Sequence, residues 1–480
     1  MIEKNQRQYA IDTELTEGTL RYLPKYLERY YLLQHEKYRT FRNVQIDIEN
    51  EKRFLSFRVI LPKTDEYVDV LVVAGIPINV TMTPSSQRVE KAFMDVLHED
   101  LFLVVQLFEE EARKSTLYFA FMPGEKMVPE KETGGLRIRL FADSMLPLYV
   151  GLLALTFFFF WVFGDYAPII FVGLTFGLSL VAGRLLERGA DWKITEQQQE
   201  MLILQYKLSE KELEKFRSEQ GKKIPQIRKE IFDATLAPNI PLSCETANSI
   251  FARYGIDCKS ENFSIRRVNV YQIVKRAAEK FRLPVPRVAV TNSIVPNAAA
   301  AGPGPESGTM IVTTGILTQL EDDELESVIG HELSHLKARD SLVMSSLTSA
   351  EFLLRFYVFL PFLFMFGFFS FWVYLVAAFG IIYFFGKFLE ARADLDSAIV
   401  IGRPKVMAEA LKKIGFRRLF PLYKREAEFK SYRVMEWLQL DPHPPIYFRV
   451  ERLENLDESQ KIKNTFLRSI KDNLRGLIRA

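Results

Sequence analysis

Residues 146–183 read LPLYVGLLALTFFFFWVFGDYAPIIFVGLTFGLSLVAG, a block with a single acid and no base. Gly164, Asp165 and Pro168 interrupt it near its middle. Each half has about 17 to 20 residues, the length that crosses the hydrocarbon of a bilayer as a helix. A buried helix pair in a water-soluble core is the alternative, but the near absence of charge favours membrane helices. The block therefore predicts a transmembrane hairpin within residues 143–188.

A second apolar block covers residues 352–386. Two more membrane helices fit within 341–386 if the first begins near Ser341. Glu351 and Arg355 would then lie one turn apart in that helix, where they either neutralise each other or face a wet cavity. The sequence leaves both arrangements open. In total it predicts four transmembrane helices in two hairpins.

The distribution of basic residues predicts the orientation of these helices. The loops around Asp165 and Ser370 carry no Lys or Arg. The opposite ends carry Arg137, Arg139, Arg184, Arg188, Lys337, Arg339, Lys387 and Arg392. By the positive-inside rule we expect a multi-pass protein of the cell membrane whose N-terminal domain and other large soluble segments are cytoplasmic.

Composition bounds the compartment and the partners. The chain contains two cysteines, Cys244 and Cys258, which we interpret as free core residues in a reducing compartment rather than a disulfide framework. Its N-terminus, MIEKNQRQYAIDTE, lacks the pattern of a secretory signal peptide. A formal net charge of +3 gives no reason to expect nucleic acid as a partner.

At 480 residues the chain is too long for a single core. Alternating apolar residues at Val44, Ile46 and Ile48, with RFLSFRVIL and YVDVLVVAG after them, predict strands of an α+β domain. We predict a multidomain membrane protein of six consecutive segments. These are an α+β N-terminal domain (1–142), a transmembrane hairpin (143–188), a charged helical linker (189–245), the first part of a second soluble domain (246–340), a second transmembrane hairpin (341–386) and the second part of that domain (387–480).

Residues 321–340 read EDDELESVIGHELSHLKARD. The acidic start and the apolar spacing predict a helix, which places His331 and His335 on one face. Two neutral imidazoles on one face can hold zinc, and Glu332 is placed to take a proton from water rather than to bind the metal. The five-residue pattern is only moderately specific and also occurs as a plain polar helix face. However, two of the five histidines of the chain stand here in the required register.

A third ligand is expected because catalytic zinc has three protein ligands and one open position. The stretch GKFLEARADLDSAIV, residues 386–400, follows the second apolar block. Glu390 can bind the metal, and Asp394, one turn later, can accept a hydrogen bond from the outer nitrogen of a ligand histidine. The alternative is a solvated, charged helix face. Beside HELSH, the ligand interpretation is favoured.

These segments resemble the HtpX-like family of integral-membrane zinc metalloproteases, which is related to the CAAX prenyl proteases. The matching segments run in family order over roughly residues 285–455: PRVAVTNSIVPNAAAAG, GTMIVTTGILTQLEDDELESVIGHELSHLKARD, LEARADLDSA and HPPIYFRVERL. The resemblance implies a mostly helical, zincin-like catalytic domain with a small β-sheet, whose first part (246–340) carries HELSH and whose second part (387–480) carries Glu390. It also implies one zinc ion per chain, held by His331, His335 and Glu390, with Glu332 as general base.

The resemblance implies roles for further residues. Asn297 would lie beside the active-site cleft. The strand at about 310–314, which includes Ile311 and Val312, would be the edge to which substrate adds as an extended strand. His443 and Arg449 would stabilise the oxyanion or hold the substrate backbone. The chain departs from the family at Ala299, where an aromatic residue is common, and at Lys387, where Arg is common.

The function implied by the resemblance is endoproteolysis of membrane or misfolded proteins in membrane protein quality control. Its partners would be polypeptide substrates and the lipid bilayer. A prenyl-protein protease is one alternative, although those enzymes have more membrane helices. A non-catalytic membrane scaffold with a vestigial zinc site is another, but an inactive site has no need of the intact Glu332. The oligomeric state does not follow from the sequence.

Overall fold

The computed structural model of the chain describes most of its length. The described residues are 6–33, 40–49, 52–61, 66–89, 91–124, 146–219, 223–360, 367–424, 429–439, 441–456, 462 and 464–479. The stretch LRIRLF (136–141), which the sequence also predicts to be a strand of the N-terminal domain, lies outside the described residues, and so do its basic residues Arg137 and Arg139.

Strands occur in the N-terminal part and around the predicted catalytic segments. In chain order they are β1 (Arg7–Ile11), β2 (Thr40–Glu49), β3 (Lys52–Ile60), β4 (Tyr67–Val73), β5 (Ile78–Pro84), β6 (Thr116–Phe121), β7 (Trp192–Ile194), β8 (Met201–Lys207), β9 (Phe263–Val268), β10 (Arg287–Thr291), β11 (Ala298–Ala301) and β12 (Thr309–Thr313).

Helices make up most of the remaining described residues. They are α1 (Glu17–Leu20), α2 (Leu23–Leu27), α3 (Lys91–Arg113), α4 (Leu146–Phe163), α5 (Ala167–Gly189), α6 (Glu210–Glu219), α7 (Ile224–Ala234), α8 (Cys244–Arg253), α9 (Val270–Phe281), α10 (Thr314–Gln319), α11 (Asp322–Ala338), α12 (Asp340–Leu354), α13 (Phe368–Ile401), α14 (Pro404–Lys424), α15 (Phe429–Leu438), α16 (Ile446–Glu454) and α17 (Thr465–Arg479).

The chain folds as two compact units, each made of two separate segments. The first unit consists of Met1–Glu130 and Leu202–Arg267, and the second of Lys131–Met201 and Val268–Ala480. The segment predicted as a charged helical linker, 189–245, contains β7 and β8 as well as helices. Six of the seven residues of β8, MLILQYK, are buried, so it is a core strand. The prediction of a helical linker rested on the average composition of 189–245, which is charged, and so it missed this short apolar strand.

The first unit contains two sheets. One is antiparallel with strand order β1-β5-β4-β3-β2, and α3 packs its apolar side chains into the same core. The alternating burial of β3 and β4 matches the period of two in their sequences. The other sheet has the order β6-β8-β9, and its core includes apolar residues of α6, α7 and α8.

The two cysteines are not free, and the prediction that they are was wrong. Cys244 begins α8 and Cys258 follows that helix, and their sulfur atoms form a disulfide. Their Cα atoms are 5.8 Å apart, which is the usual separation in a disulfide. The fold brings them together because the chain turns back after α8, which a count of two cysteines does not reveal. The expectation of a reducing compartment therefore loses the support that free cysteines would have given it.

The second unit contains the sheet with order β11-β12-β10-β7. β12 pairs in parallel with β10 and antiparallel with β11. The prediction that the strand at 310–314 is a sheet edge was therefore wrong. The short segment NAAAAG forms β11 and covers that edge, so β11 is the edge strand on this side.

Three stretches of the described residues are long and apolar enough to span a membrane: Ala154–Gly189, Asp340–Phe359 and Phe369–Ile401. The first is divided by a single turn at Gly164–Tyr166, where Gly164 has a φ of +54°. The rings of Phe159 and Phe171 lie 6.0 Å apart, whereas 12 residues of straight helix would separate them by about 18 Å. The chain thus reverses direction between α4 and α5.

The second apolar region forms α12, which continues through a π-helical turn at Arg355–Phe359, and the long helix α13. Ser370, which was predicted to lie in a loop, is part of α13, because this helix already begins at Phe368. Glu351 and Arg355 form an ion pair of 3.2 Å, and the hydroxyl of Tyr374 donates to Glu351 at 3.1 Å. The sequence left open whether Glu351 and Arg355 neutralise each other or face a wet cavity. The structure favours mutual neutralisation.

Candidate active site

Helix α11 carries the HELSH motif, and its ends are defined by local interactions. Glu321 and Glu324 form a reciprocal capping box at its start, and acidic residues fill its first turn. Arg339, in the left-handed conformation, ends the helix, and α12 begins at the next residue. The intact helical register places His331 and His335 on one face, as the sequence predicts.

Helix α13 packs closely against α11 at Gly330. A β-carbon at this position would lie 2.7 Å from Oγ of Ser397 and 2.8 Å from Cγ1 of Ile401. The Ser397 hydroxyl donates a hydrogen bond of 2.6 Å to the carbonyl of Ser327 across the same contact. A residue without a side chain at 330 therefore lets the two helices approach closely and places Glu390 opposite the two histidines.

His331, His335 and Glu390 converge on one point. Their candidate ligand atoms all lie within 4.8 Å of one another. The two Nε2 atoms are 3.1 Å apart, and they lie 3.4 and 3.3 Å from the two carboxylate oxygens of Glu390. Two ligand atoms about 2.1 Å from a tetrahedral zinc ion are separated by about 3.4 Å, so the spacing fits such an ion.

The outer nitrogen of each histidine faces a carboxylate. Nδ1 of His331 lies 2.9 Å from Oδ1 of Asp394, and Nδ1 of His335 lies 2.7 Å from Oδ2 of Asp340. A carboxylate at Nδ1 favours the proton on that nitrogen and leaves the lone pair on Nε2. Two such lone pairs 3.1 Å apart repel each other unless a cation lies between them, so the donor set fits a metal ion.

The charge around the histidines also favours a cation. Burial would lower the pKa of the His335 imidazole, but the charge of Glu390 and the hydrogen bond to Asp340 raise it to about 10. Burial opposes the charged form of His331 as well, yet its contacts with Asp394 and Glu390 raise its pKa. The carboxylates therefore need a positive charge at this point, which a divalent metal supplies while both imidazoles stay neutral.

Glu332 lies next to this group and is 9% exposed. Burial raises the pKa of its carboxyl, while the two histidines and a hydrogen bond from the backbone N–H of Ala300 act in the opposite direction. A carboxylate with a raised pKa is a better proton acceptor near neutral pH. Because Ala300 belongs to β11, Glu332 also connects the HELSH helix to the edge strand.

His443 and Arg449 reach the site in different ways. Nδ1 of His443 lies 2.9 Å from Oε2 of Glu390, and its side chain is 48% exposed. Arg449 is buried in α16 and donates two hydrogen bonds to Asp394, of 2.8 and 2.6 Å, while its distance to Glu390 is 3.8 Å. The solvent-facing His443 can meet a bound substrate, whereas Arg449 orients Asp394.

The residues predicted to bind substrate occupy different positions. Asn297 is half-buried just before β11, and its backbone exchanges hydrogen bonds with Thr313. Ile311 and Val312 are buried at 4% and 0% exposure in the interior strand β12. Only Asn297 therefore lies at the sheet edge that faces α11, and the side chains of Ile311 and Val312 belong to the core.

The comparisons with known proteins agree with this geometry. Residues 264–457 match the model of peptidase family M48. A protease HtpX homolog of Moorella thermoacetica is 32% identical over 222 residues, which are 40% of this chain and 73% of that protein. The chain belongs to peptidase family M48. It is an HtpX-like metalloprotease, so the resemblance inferred from its motifs is confirmed.

Two further relatives mark the extent of the match. A protease HtpX homolog of Thermococcus kodakarensis is 32% identical over 219 residues, which are 40% of this chain and 75% of that protein. One of Thermodesulfovibrio yellowstonii is 46% identical over 94 residues, but these are 20% of this chain and only 32% of that protein. No solved structure matches the chain. Residues before 264 lie outside the M48 match.

Two residues of this M48 site were missed by the sequence argument. They are Asp340 and Arg392. Oδ2 of Asp340 lies against Nδ1 of His335, and Nη2 of Arg392 donates a hydrogen bond of 2.5 Å to the same oxygen. Asp340 closes the quoted segment HELSHLKARD, five residues after His335. The signal was therefore present, because a second ligand histidine needs a carboxylate just as the first one does.

Proposed function

We propose that this chain is a membrane-embedded zinc endopeptidase with His331, His335 and Glu390 as metal ligands and Glu332 as general base. The observation that carries the proposal is the convergence of the two Nε2 atoms and the Glu390 carboxylate beside a buried glutamate. On a polar helix face that binds no metal, we would expect the imidazole and carboxylate lone pairs to point away from one another and into water.

The chemistry follows from the positions of the side chains. Zinc held by these ligands would polarise the carbonyl of the scissile peptide bond and make an attacking water more acidic. Glu332 accepts the proton of that water and returns it to the leaving amine. His443, exposed on the solvent side of Glu390, donates to the oxyanion as it develops. Arg449 acts as a positioning residue through Asp394.

The substrate would lie as an extended strand along β11. This strand is the sheet edge next to α11, and its Ala300 already contacts the general base. Backbone hydrogen bonds to an edge strand recognise any extended peptide, so they favour broad rather than sequence-specific cleavage. Asn297, at the entrance of β11, would contact one end of the bound segment.

We further propose four membrane spans, formed by α4, α5, α12 and α13, and substrates that are membrane or misfolded proteins. α12 begins at Asp340, which contacts His335. About 20 residues of α13 cross the hydrocarbon from Phe368, so Glu390 lies just beyond its surface. A site at this height can reach the exposed parts of membrane proteins. The assignment to quality control is carried by the family resemblance.

The proposed orientation places the site in the cytoplasm. Described basic residues such as Arg184, Arg188, Lys337 and Arg339 lie at the site ends of the apolar helices, and this supports the orientation. The Cys244–Cys258 disulfide supports the opposite one, because such bonds are rare in reducing compartments outside hyperthermophiles. A cysteine tag near Asp165 should react with an impermeant reagent on intact cells. Reaction only after lysis would contradict the cytoplasmic assignment.

The experiment that tests the activity uses the full chain purified in detergent. We expect about one zinc per chain, casein cleavage that stops with a chelator, and recovery on addition of zinc. A model peptide joined to a transmembrane helix should be cleaved faster in vesicles than the same peptide free in solution. Cleavage that persists in metal-free protein would overturn the proposal.

A further inference from the structure

Helix α17 presents three different faces. Ser469 and Asn473 are fully buried, and Gly476 packs against the rings of Trp437 and Phe448. A basic, exposed face follows; its residues are Arg468, Lys471, Arg475 and Arg479. The third face is apolar and exposed, with Leu467 at 62%, Leu474 at 44% and Ile478 at 82%. So large an exposed apolar face marks a surface that is covered in the native setting.

Helix α15 extends this apolar surface. Its Trp437 side chain contacts α17 at Gly476, so the two helices are neighbours. Val434, Met435 and Leu438 of α15 are exposed at 40%, 62% and 63%. Two adjacent helices thus both present apolar side chains outward.

Both helices are attached to the same short part of α13. Nζ of Lys387 donates to the carbonyls of Trp437 and Gln439 at 3.0 and 2.7 Å, at the end of α15. The rings of Phe388 and Phe466 lie 4.6 Å apart, at the start of α17. Residues 387 and 388 are about 20 residues from the start of α13, where a spanning helix leaves the hydrocarbon. Both helices therefore lie at the depth of the membrane surface.

We propose that α17, with the adjoining face of α15, lies in the interface of the bilayer that α13 spans and binds anionic lipid headgroups. The inference rests on the proposal that α13 is a membrane span. An apolar face bordered by basic residues is the arrangement that inserts into the boundary between headgroups and acyl chains. The structure assigns these helices a second membrane contact beyond the spanning helices.

Charge favours lipid over a second copy of the chain. α17 carries four basic residues and one acidic residue, Asp472. Asp472 already forms ion pairs with Arg452 and Arg468, at 2.9 and 3.1 Å. Two copies meeting across this face would bring like charges together, which is unfavourable. An anionic lipid surface supplies the opposite charge and attracts each basic residue near it.

The test places an environment-sensitive fluorescent amino acid at Ile478 in the full chain, reconstituted in vesicles of phosphatidylcholine with or without phosphatidylglycerol. Lipids that carry a nitroxide near the headgroup should quench this probe more than lipids labelled deep in the chain. A matched probe at Arg479, on the basic face, should be quenched less than the probe at 478 by the lipids labelled in the acyl chain, because the basic face lies among the headgroups. A probe at Val376, which is 72% exposed on α13, reports the span itself.

Variants separate the two contributions to binding. Leu474→Glu should abolish the quenching at position 478, because it places a charge in the apolar face. Lys471→Gln with Arg475→Gln should remove the extra quenching that phosphatidylglycerol causes. Quenching at 376 but not at 478 would overturn this inference and leave the spanning helices intact. Lack of quenching at 376 would overturn the membrane placement itself. If the probe at 478 is shielded from water but is not quenched by labelled lipids, another protein surface covers this face. That result would also overturn the inference that α17 contacts lipid.

Discussion

The Nδ1 atom of His331 lies 2.9 Å from Asp394, and the same carboxylate accepts two hydrogen bonds from Arg449. A residue late in the chain thus orients a carboxylate, which in turn contacts a proposed metal ligand on the HELSH helix. The position of the His331 imidazole in α11 therefore depends on Asp394 in α13 and on Arg449 in α16. Through Asp394, Arg449 can influence the proposed ligand His331, although its own distance to Glu390 is 3.8 Å.

Asp394→Asn should weaken zinc binding by about 10- to 100-fold, because the neutral amide no longer fixes the His331 tautomer with a negative charge. Equilibrium dialysis against zinc buffers measures the effect. Asp396→Asn is the matched control, since Asp396 lies on the same helix but accepts from Ser334 at 2.9 Å. Equal zinc affinities for the two variants would contradict the role assigned to Asp394.

Glu332→Gln should keep zinc and lose cleavage by a factor of about 10² to 10⁴, because the amide occupies the same volume but cannot accept the proton. Zinc content by atomic absorption and casein cleavage are measured on the same preparation. Cleavage at the parental rate would contradict the general-base role.

Glu390→Ala should lose both zinc and cleavage, since it removes one of three protein ligands. Glu454→Ala is a suitable control because Glu454 is 45% exposed and pairs with Lys412 away from the metal-binding group. Retention of one zinc per chain in Glu390→Ala would show that the third ligand is a different residue.

Gly330→Ala should lower the zinc affinity and cost about 1–3 kcal/mol of stability, because the added methyl group forces α11 and α13 apart. Gly380→Ala, in the same helix as Glu390, is the control, as a β-carbon there meets nothing within 4 Å. Thermal unfolding and zinc titration report the two effects. If both variants behave alike, helix separation at Gly330 does not position the site.

The Cys244–Cys258 disulfide should be found intact by peptide mapping of protein alkylated without reductant. Replacing both cysteines by Ser should lower the free energy of unfolding by about 3 kcal/mol, because the bond closes a loop of sequence separation 14. Chemical denaturation of wild-type and variant protein measures the difference. Complete alkylation of both thiols in the native protein would contradict the pairing.

Patterns within about 20 neighbouring residues were enough to locate the apolar helices, the HELSH helix and the later Glu390 and Asp394. These features depend on helical periodicity and hydrophobic length, which adjacent residues specify. The family motifs added His443, Arg449 and Asn297, and the structure brings His443 and Arg449 next to Glu390.

Other features depended on contacts between distant segments. β11 instead of β12 is the sheet edge, β8 is a core strand within a charged segment, and the two cysteines are paired. Asp340 and Arg392 meet beside His335 although 52 residues separate them. Strand order, disulfide pairing and carboxylate partners are set by long-range packing, and local composition does not encode which distant segment fills each position.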